Sequence, residues 1–211
     1  MLCTQLRQEA LGRMRRWQVE NQHQQADQRD HRDGADNRIE LIAWDIAVHF
    51  NENIKKLGMG LKGQIATDSK LDAIRYQQAL DDTGLVSSAV VISQPDTREG
   101  NSEVDDDKLP EVQKWWKKHV GHDQEGYEKA VLAGFAEDDE PDLLIVVDRL
   151  LTGFDEPRNT VLYIDKPLQG HNLIQAVARV NRLHDAKRYG VLVDYRGILK
   201  ELDTAIRAYQ D

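Results

Sequence analysis

The stretch that decides the fold is residues 142–182, which read DLLIVVDRLLTGFDEPRNTVLYIDKPLQGHNLIQAVARVNR. Apolar segments at residues 143–147 and 161–164 predict two buried strands, and the apolar spacing within residues 172–183 predicts a helix. Buried strands that alternate with helices are typical of a parallel sheet covered on both faces. The stretch therefore predicts an α/β fold.

The same alternation continues on both sides of this stretch. Further strands are predicted at residues 64–67, 88–93 and 190–195, and further helices at residues 39–56, 70–82, 111–119, 124–137 and 198–209. Asp68 or Ser69 is expected to cap the helix that begins at residue 70. The whole pattern predicts a parallel sheet of about five or six strands with helices on both faces.

The chain divides into segments of different composition. Residues 1–37 are polar and predict a flexible or loosely helical arm, residues 38–62 a lead-in helix, and residues 63–211 the α/β domain. An acidic insert at about residues 94–124 interrupts that domain. Trp115 and Trp116 lie in the insert, where they can anchor it or stack on a base, and we expect them to anchor it.

Composition excludes several classes of protein. Of the 211 residues, 40% are hydrophobic and 31% are charged, and no apolar run reaches the roughly 20 residues that a membrane span requires. The single cysteine, Cys3, excludes an internal disulfide and a cysteine-rich zinc site, and suits a reducing cytosol. A net charge of −9 argues against coating of nucleic acid by bulk charge, although a local basic patch stays compatible with it.

The helix predicted within residues 172–183 carries the candidate chemistry. Gln175, Arg179 and Arg182 stand at i, i+4 and i+7 and form one polar stripe, and Asn172 is the predicted N-cap. The apolar residues that are expected to face the sheet are Leu173, Ala176, Val177 and Val180. Two guanidiniums on one face can bind a polyphosphate and stabilise charge in phosphoryl transfer. An ordinary amphipathic helix with solvated arginines is the alternative.

A Thr-Gly-Phe-Asp turn precedes that helix and follows a predicted strand. Gly153 permits a tight turn or a close approach of backbone to a ligand. Asp155 is placed to accept a hydrogen bond from a ribose hydroxyl. Because parallel sheets bind ligands at the carboxyl ends of their strands, we expect this turn to lie at that edge.

Several motifs carry a resemblance to a known family. Residues 150–157, LLTGFDEP, resemble helicase motif V, and residues 175–182, QAVARVNR, resemble motif VI. Residues 66–70 stand where motif IV belongs, and residues 165–168, 170–171 and 193–197 are also similar to the family. Over residues 38–211 the chain resembles the second RecA-like motor domain of a superfamily 2 helicase or translocase, in particular that of the R subunit of type I restriction-modification enzymes.

The resemblance implies roles for individual residues. Arg179 and Arg182 would reach the γ-phosphate of ATP on the first motor domain, one of them as the arginine finger, and Gln175 would help to order that site. Gly153 and Asp155 would form the motif V turn near the nucleotide. The residues implied to face the DNA backbone are Thr67, Ser69, Lys70 and Thr152. A helix cap that binds no ligand is the alternative for the turn at residues 67–70.

Other parts of such an enzyme are not found in the sequence. It contains no G-x-x-x-x-G-K-[ST] loop, no Asp-Glu-x-His box and no nuclease metal cluster. The resemblance places these parts upstream in a longer polypeptide, where the first motor domain would bind most of the ATP and Mg²⁺. We therefore expect no metal site and no tightly bound cofactor in this chain, and neither ATP hydrolysis nor DNA cleavage by the chain alone.

The resemblance also implies partners. These are double-stranded DNA, the methyltransferase and specificity subunits of a bacterial or archaeal restriction complex, and the first motor domain; no membrane is involved. Alternatives are a non-catalytic module that docks DNA or another subunit, domain 2 of another superfamily 2 helicase, and a Rossmann-like enzyme with its own ligand. The last lacks the expected glycine-rich turn after the first strand.

Overall fold

A computed structural model of the protein describes residues 30–95, 109–137, 140–148, 154–168 and 170–198. The helices within these ranges are α1 (Asp30–Asn53), α2 (Lys70–Thr83), α3 (Leu109–His119), α4 (Gln124–Glu137) and α5 (Gly170–Val180), with a 3-10 turn at Lys55–Leu57. The strands are β1 (Lys62–Thr67), β2 (Ser88–Val91), β3 (Leu143–Val146), β4 (Asn159–Asp165) and β5 (Val191–Asp194). The helix predicted at residues 198–209 lies almost wholly outside the described residues.

The strands form one parallel sheet in the order β2-β3-β1-β4-β5. Ile65 of the central strand β1 stands opposite Ile145 of β3 and Tyr163 of β4. Every residue of β1, β3 and β4 is buried, as continuous apolar runs in a doubly covered sheet require. The predicted parallel sheet of about five or six strands is confirmed, with five strands in the described residues.

Two apolar clusters cover the two faces of this sheet. One face packs against α1, α2 and α3 through residues such as Ile46, Ile74 and Trp116. The other packs against α4 and α5 through Phe135 and Leu173. The helices thus lie on both faces, and the loops at the ends of the strands remain available to carry function.

Helix α1 is an integral part of the core. Ile39, Ile46 and Phe50 of this helix are buried in the same cluster as α2 and the sheet. The helix begins at Asp30, within the arm predicted for residues 1–37, whereas residues 1–29 lie outside the described part. Arg38 of this helix pairs with Asp165 at the end of β4, and sequence periodicity does not reveal this long-range contact.

The strands β1 and β4 start earlier than their apolar runs predict. Buried polar residues occupy these starts, and Lys62 and Asn159 donate hydrogen bonds there. Lys62 donates from Nζ to the carbonyl of Pro141 at 2.9 Å. Asn159 donates from Nδ2 to Gln64 Oε1 at 3.1 Å. β2 and β5 are shorter than predicted, ending at Val91 and Asp194.

The two tryptophans of the insert anchor α3 to the domain. Trp115 and Trp116 are buried at 7% and 8% exposure. Trp115 also donates from Nε1 to Gln77 Oε1 on α2 at 3.0 Å and meets Tyr127 of α4 edge-on. The expectation of anchoring is confirmed, while the acidic residues 96–108 lie outside the described part. Among the helices that the structure describes, none has the length and apolarity to cross a bilayer.

Candidate nucleotide and nucleic-acid interface

Helix α5 differs at both ends from the helix predicted at residues 172–183. It begins at Gly170, so Asn172 lies inside it and the predicted N-cap is wrong. It ends at Val180, so Arg182 lies beyond it and the helical stripe is reduced to Gln175 and Arg179. The cause at the far end is tertiary packing, because the start of β5 abuts the last turn: a Cβ on Gly190 would lie 2.4 Å from the Val180 carbonyl oxygen.

The apolar side of α5 is as predicted. Leu173, Ala176 and Val180 are buried at 0%, 2% and 1% exposure, and Val177 packs against the same cluster while partly buried. The opposite side, which carries Arg179, therefore points away from the sheet.

Asp155 and Arg182, predicted from two separate motifs, are brought together. Arg182 Nε lies 3.3 Å from Asp155 Oδ1, and the two side chains are 46% and 57% exposed. An exposed ion pair of this kind contributes little to stability, about 0–1 kcal/mol. Its significance is positional, since it places a guanidinium at the surface beside the turn that carries Asp155. Gly153 and Thr152 lie outside the described residues.

This pair lies at the amino edge of the sheet. Asn159 is the first residue of β4, and its backbone N–H donates to the Glu156 carbonyl in a tight turn beside Asp155. Lys187 Nζ contacts the Asn159 carbonyl and the Val180 carbonyl, so the end of α5 adjoins the start of β4. The expectation that Asp155 lies at the carboxyl ends of the strands is wrong, because the chain has already returned to the start of β4.

The predicted DNA-facing turn lies at the opposite edge, after the carboxyl end of β1. Thr67 is fully buried, and its hydroxyl lies 3.3 Å from the Val146 and Ser69 carbonyls, either of which can accept its proton, so this side chain does not face solvent. Ser69 Oγ accepts from the Asp72 backbone N–H at 3.1 Å and caps α2, as expected. Lys70 donates from Nζ to the Gln94 carbonyl at 3.1 Å and is partly exposed.

A buried carboxylate at this carboxyl edge was missed by sequence reasoning. Asp165 is 3% exposed and accepts hydrogen bonds from Tyr76 Oη at 2.7 Å and from Arg196 Nε at 2.8 Å. The two terminal nitrogens of the Arg38 guanidinium, Nη1 and Nη2, also donate to its carboxylate. Arg196 also lies 3.8 Å from Asp68 in the predicted DNA-facing turn. The sequence signals for Asp165 were its position directly after a predicted buried strand and the similarity of residues 165–168 to the family, and neither indicated its partners.

The electrostatics of Asp165 follow from these partners. Burial alone would raise the pKa of the Asp165 carboxyl, but hydrogen bonds from Arg38 and Tyr76, with the charges of Arg38 and Arg196, outweigh it and hold the pKa below its ordinary value. Asp165 is therefore ionised at neutral pH, and it ties α1, α2 and the turn after β5 to the end of β4.

Two lysines hold the segments that flank the candidate site. Lys166, 7% exposed, donates from Nζ to the Val147 carbonyl at 2.8 Å and to Asp148 Oδ1 at 2.5 Å, which fixes the beginning of the long loop between β3 and β4. Lys187 holds its far end, as described above. Burial lowers the pKa of the Lys187 ammonium to about 8, against the opposing effect of the Glu156 charge.

A family model described as type I restriction enzyme subunit R domain 3 matches residues 41–197. The chain belongs to this family.

Relatives of this R-subunit domain support the same assignment. The present chain is 31% identical over 180 residues to a protein of Methanocaldococcus jannaschii assigned as the MjaVIIP endonuclease subunit of a type I restriction enzyme. The match covers 82% of this chain and 16% of that protein. The chain is 42% identical over 104 residues to the HindI endonuclease subunit of Haemophilus influenzae, covering 47% of this chain and 9% of the relative. The chain thus corresponds to a small part of these relatives.

A solved structure shares the fold. A fragment assigned as the HsdR subunit of a type I restriction enzyme from Vibrio vulnificus matches with a TM-score of 0.51 at 14% identity, covering 78% of this chain and 29% of the other. The R-subunit domain therefore shares with that fragment the parallel α/β fold that the sequence predicted. Among the described residues, no group of three or more His, Cys, Asp or Glu side chains is arranged to hold a metal ion.

Proposed function

We propose that this R-subunit domain is the second motor half of an ATP-driven DNA translocase and acts within a longer restriction polypeptide. The observation that carries the proposal is the Asp155–Arg182 pair, which joins the motif V and motif VI segments at one exposed edge. There it can face a nucleotide held by a neighbouring domain. ATP with Mg²⁺ would be bound mainly by that first motor domain and would supply the transferred phosphoryl group.

The residues of this edge suit that role. Arg182 is half exposed on a short segment beyond α5, and Arg179 lies on the outward side of the helix. A guanidinium stays protonated at any working pH and can donate two parallel hydrogen bonds to phosphate oxygens. On closure of the two domains, Arg182 would stabilise the negative charge that develops in phosphoryl transfer, with Arg179 as the second candidate. Asp155 would orient the guanidinium or accept from a ribose hydroxyl, and Gln175 would order the site.

DNA would lie at the other edge. Ser69 and Lys70 stand in the turn after β1, and the motif resemblance adds Thr152, which lies outside the described residues. The two edges are separated by the length of β1, six residues or about 20 Å. A rigid, fully buried strand would thus connect the nucleotide edge with the DNA edge, which suits conversion of domain closure into movement along duplex DNA. The methyltransferase and specificity subunits would complete the restriction complex.

The test is ATPase activity of this chain alone and of the full-length polypeptide, each with and without duplex DNA. We expect no activity from the chain alone and DNA-stimulated activity from the full-length protein. Robust turnover by the isolated chain would show a nucleotide site that the proposal does not contain.

A non-catalytic module that docks DNA or another subunit is the second candidate. The cap that Ser69 provides to α2 favours it, because that side chain already has a structural role. It predicts that the full-length polypeptide retains its ATPase activity when Arg182 is replaced.

A further inference from the structure

Lys187 occupies a place that no motif assigns. It lies in the turn between α5 and β5, where its side chain is partly buried. Its Nζ donates to the Asn159 carbonyl at 2.6 Å and to the Val180 carbonyl at 3.0 Å. One ammonium therefore joins the first residue of β4 to the last residue of α5.

These two carbonyls belong to the segments that carry the candidate site. Val180 is two residues ahead of Arg182, and Asn159 ends the turn that begins beside Asp155. The last carbonyls of a helix have no partner within it and carry the negative end of the helix dipole, so a lysine there is favourable. Through these two bonds Lys187 sets the separation of the backbones from which Asp155 and Arg182 project.

The turn that carries Lys187 is itself ordered. The backbone N–H of Lys187 donates to the His184 carbonyl at 3.0 Å, and that of Ala186 donates to His184 Nδ1 at 3.1 Å. Gly190 then donates to Asn181 Oδ1 at 3.3 Å and closes the segment around Arg182. The backbone of the turn that carries the Lys187 side chain is therefore held in place by hydrogen bonds.

We propose that Lys187 is a positioning residue that holds Arg182 and Asp155 in register at the nucleotide-facing edge. The inference rests on the proposed function, since it assigns the pair a role toward ATP. Lys187 need not touch the nucleotide: it acts through the two backbone carbonyls. Errors of about 1 Å in the placement of a catalytic group can reduce turnover by roughly 100-fold.

The first test is kinetic and uses the full-length polypeptide with duplex DNA. Lys187→Met should lower kcat by roughly 10- to 100-fold with KM changed less than about threefold, because positioning rather than ground-state binding is lost. Lys187→Arg, which keeps charge and donors, should restore most of the turnover. Lys129→Met on the exposed side of α4 is the matched control and should leave kcat unchanged. A Lys187→Met enzyme with wild-type kcat would overturn the inference.

The second test uses the present chain and does not depend on ATPase activity. Backbone ¹⁵N relaxation should show rigid amides at residues 155, 156, 158 and 181–183 in the wild type, and order parameters below about 0.6 at both segments in Lys187→Met. Unchanged order in both would overturn the inference even if kcat fell. Should Lys187→Met fail to fold, Lys187→Gln, whose amide retains donors, takes its place in both tests.

The two proposals fail in different ways. If Arg182→Ala lowers turnover but Lys187→Met does not, the positioning role is wrong and the motor function stands. If Arg182→Ala leaves turnover intact, the role of Arg182 toward ATP is wrong and the nucleotide role of Lys187 falls with it, whatever the relaxation data show.

Discussion

Arg182 Nε lies 3.3 Å from Asp155 Oδ1 at the amino edge of the sheet, and both side chains remain about half exposed. At the carboxyl edge, by contrast, Asp165 is 3% exposed and pairs with Arg38 and Arg196. An exposed pair adds little to stability, whereas a buried one is costly to break. The domain thus separates a buried ion-pair cluster, which is structural, from an exposed pair that the proposed function uses.

The first prediction compares the same substitution in the two carboxylates. Asp165→Asn should destabilise the domain by about 2–4 kcal/mol, because Arg38 and Arg196 lose their counter-charge while partly buried. Asp155→Asn is the matched control and should change the free energy of unfolding by less than about 0.5 kcal/mol. Urea denaturation of both variants measures this, and equal effects would refute the distinction.

Acid should weaken the domain through Asp165. Its folded-state pKa lies below the ordinary 3.8, so its contribution is fully present above pH 3.8 and is lost as the pH falls through the lowered folded value. The difference in unfolding free energy between wild type and Asp165→Asn should therefore shrink below about pH 4. Urea titrations from pH 7 to pH 3 test this, and a constant difference would contradict it.

Alkaline conditions should act through the buried tyrosines. Burial, with the Asp45 charge, raises the pKa of Tyr163 above its ordinary 10.0, so the native state keeps a proton that the unfolded chain releases. The stability that the protonated Tyr163 hydroxyl contributes is present below pH 10 and is lost as the pH rises further. The difference in unfolding free energy between the wild type and Tyr163→Phe should therefore become smaller above about pH 10. Tyr189→Phe, at a 70% exposed position, is the control substitution in the same denaturation series.

The anchoring of α3 predicts a specific coupling. Trp115→Phe removes the donor to Gln77 Oε1 and should cost about 1–2 kcal/mol. A double-mutant cycle with Gln77→Leu should give a coupling energy of about 1 kcal/mol, measured by urea denaturation. The equally buried Trp116, as Trp116→Phe in the same cycle, should show coupling near zero. Similar coupling for both tryptophans would mean that packing, not this hydrogen bond, holds the helix.

The general architecture was readable from sequence because it depends on apolar patterns. Continuous runs in β3 and β4 predicted a covered parallel sheet, and Leu173 and Ala176 predicted the buried side of α5. Strand starts were missed where Lys62 and Asn159 are buried, since their partners come from distant segments.

The geometry of the site was less readable because it depends on long-range contacts. Lys187 and Gly190 contact the end of α5 at Val180 from the segment before β5, and periodicity within the helix could not show these contacts. Asp165 pairs with Arg38, which is 127 residues away in the sequence, and a local sequence pattern cannot show such a pairing. The residue types were thus predictable, whereas the edge at which Asp155 lies was not.

The most direct test of the motor assignment is DNA-stimulated ATPase activity of the full-length polypeptide carrying Arg182→Ala, with Arg188→Ala, an exposed arginine of the same turn, as control. The proposal predicts a loss of roughly 1,000-fold or more in kcat for Arg182→Ala, an unchanged melting temperature, and control turnover within about twofold of wild type. Turnover retained by Arg182→Ala would contradict the claim that this arginine completes an ATP site.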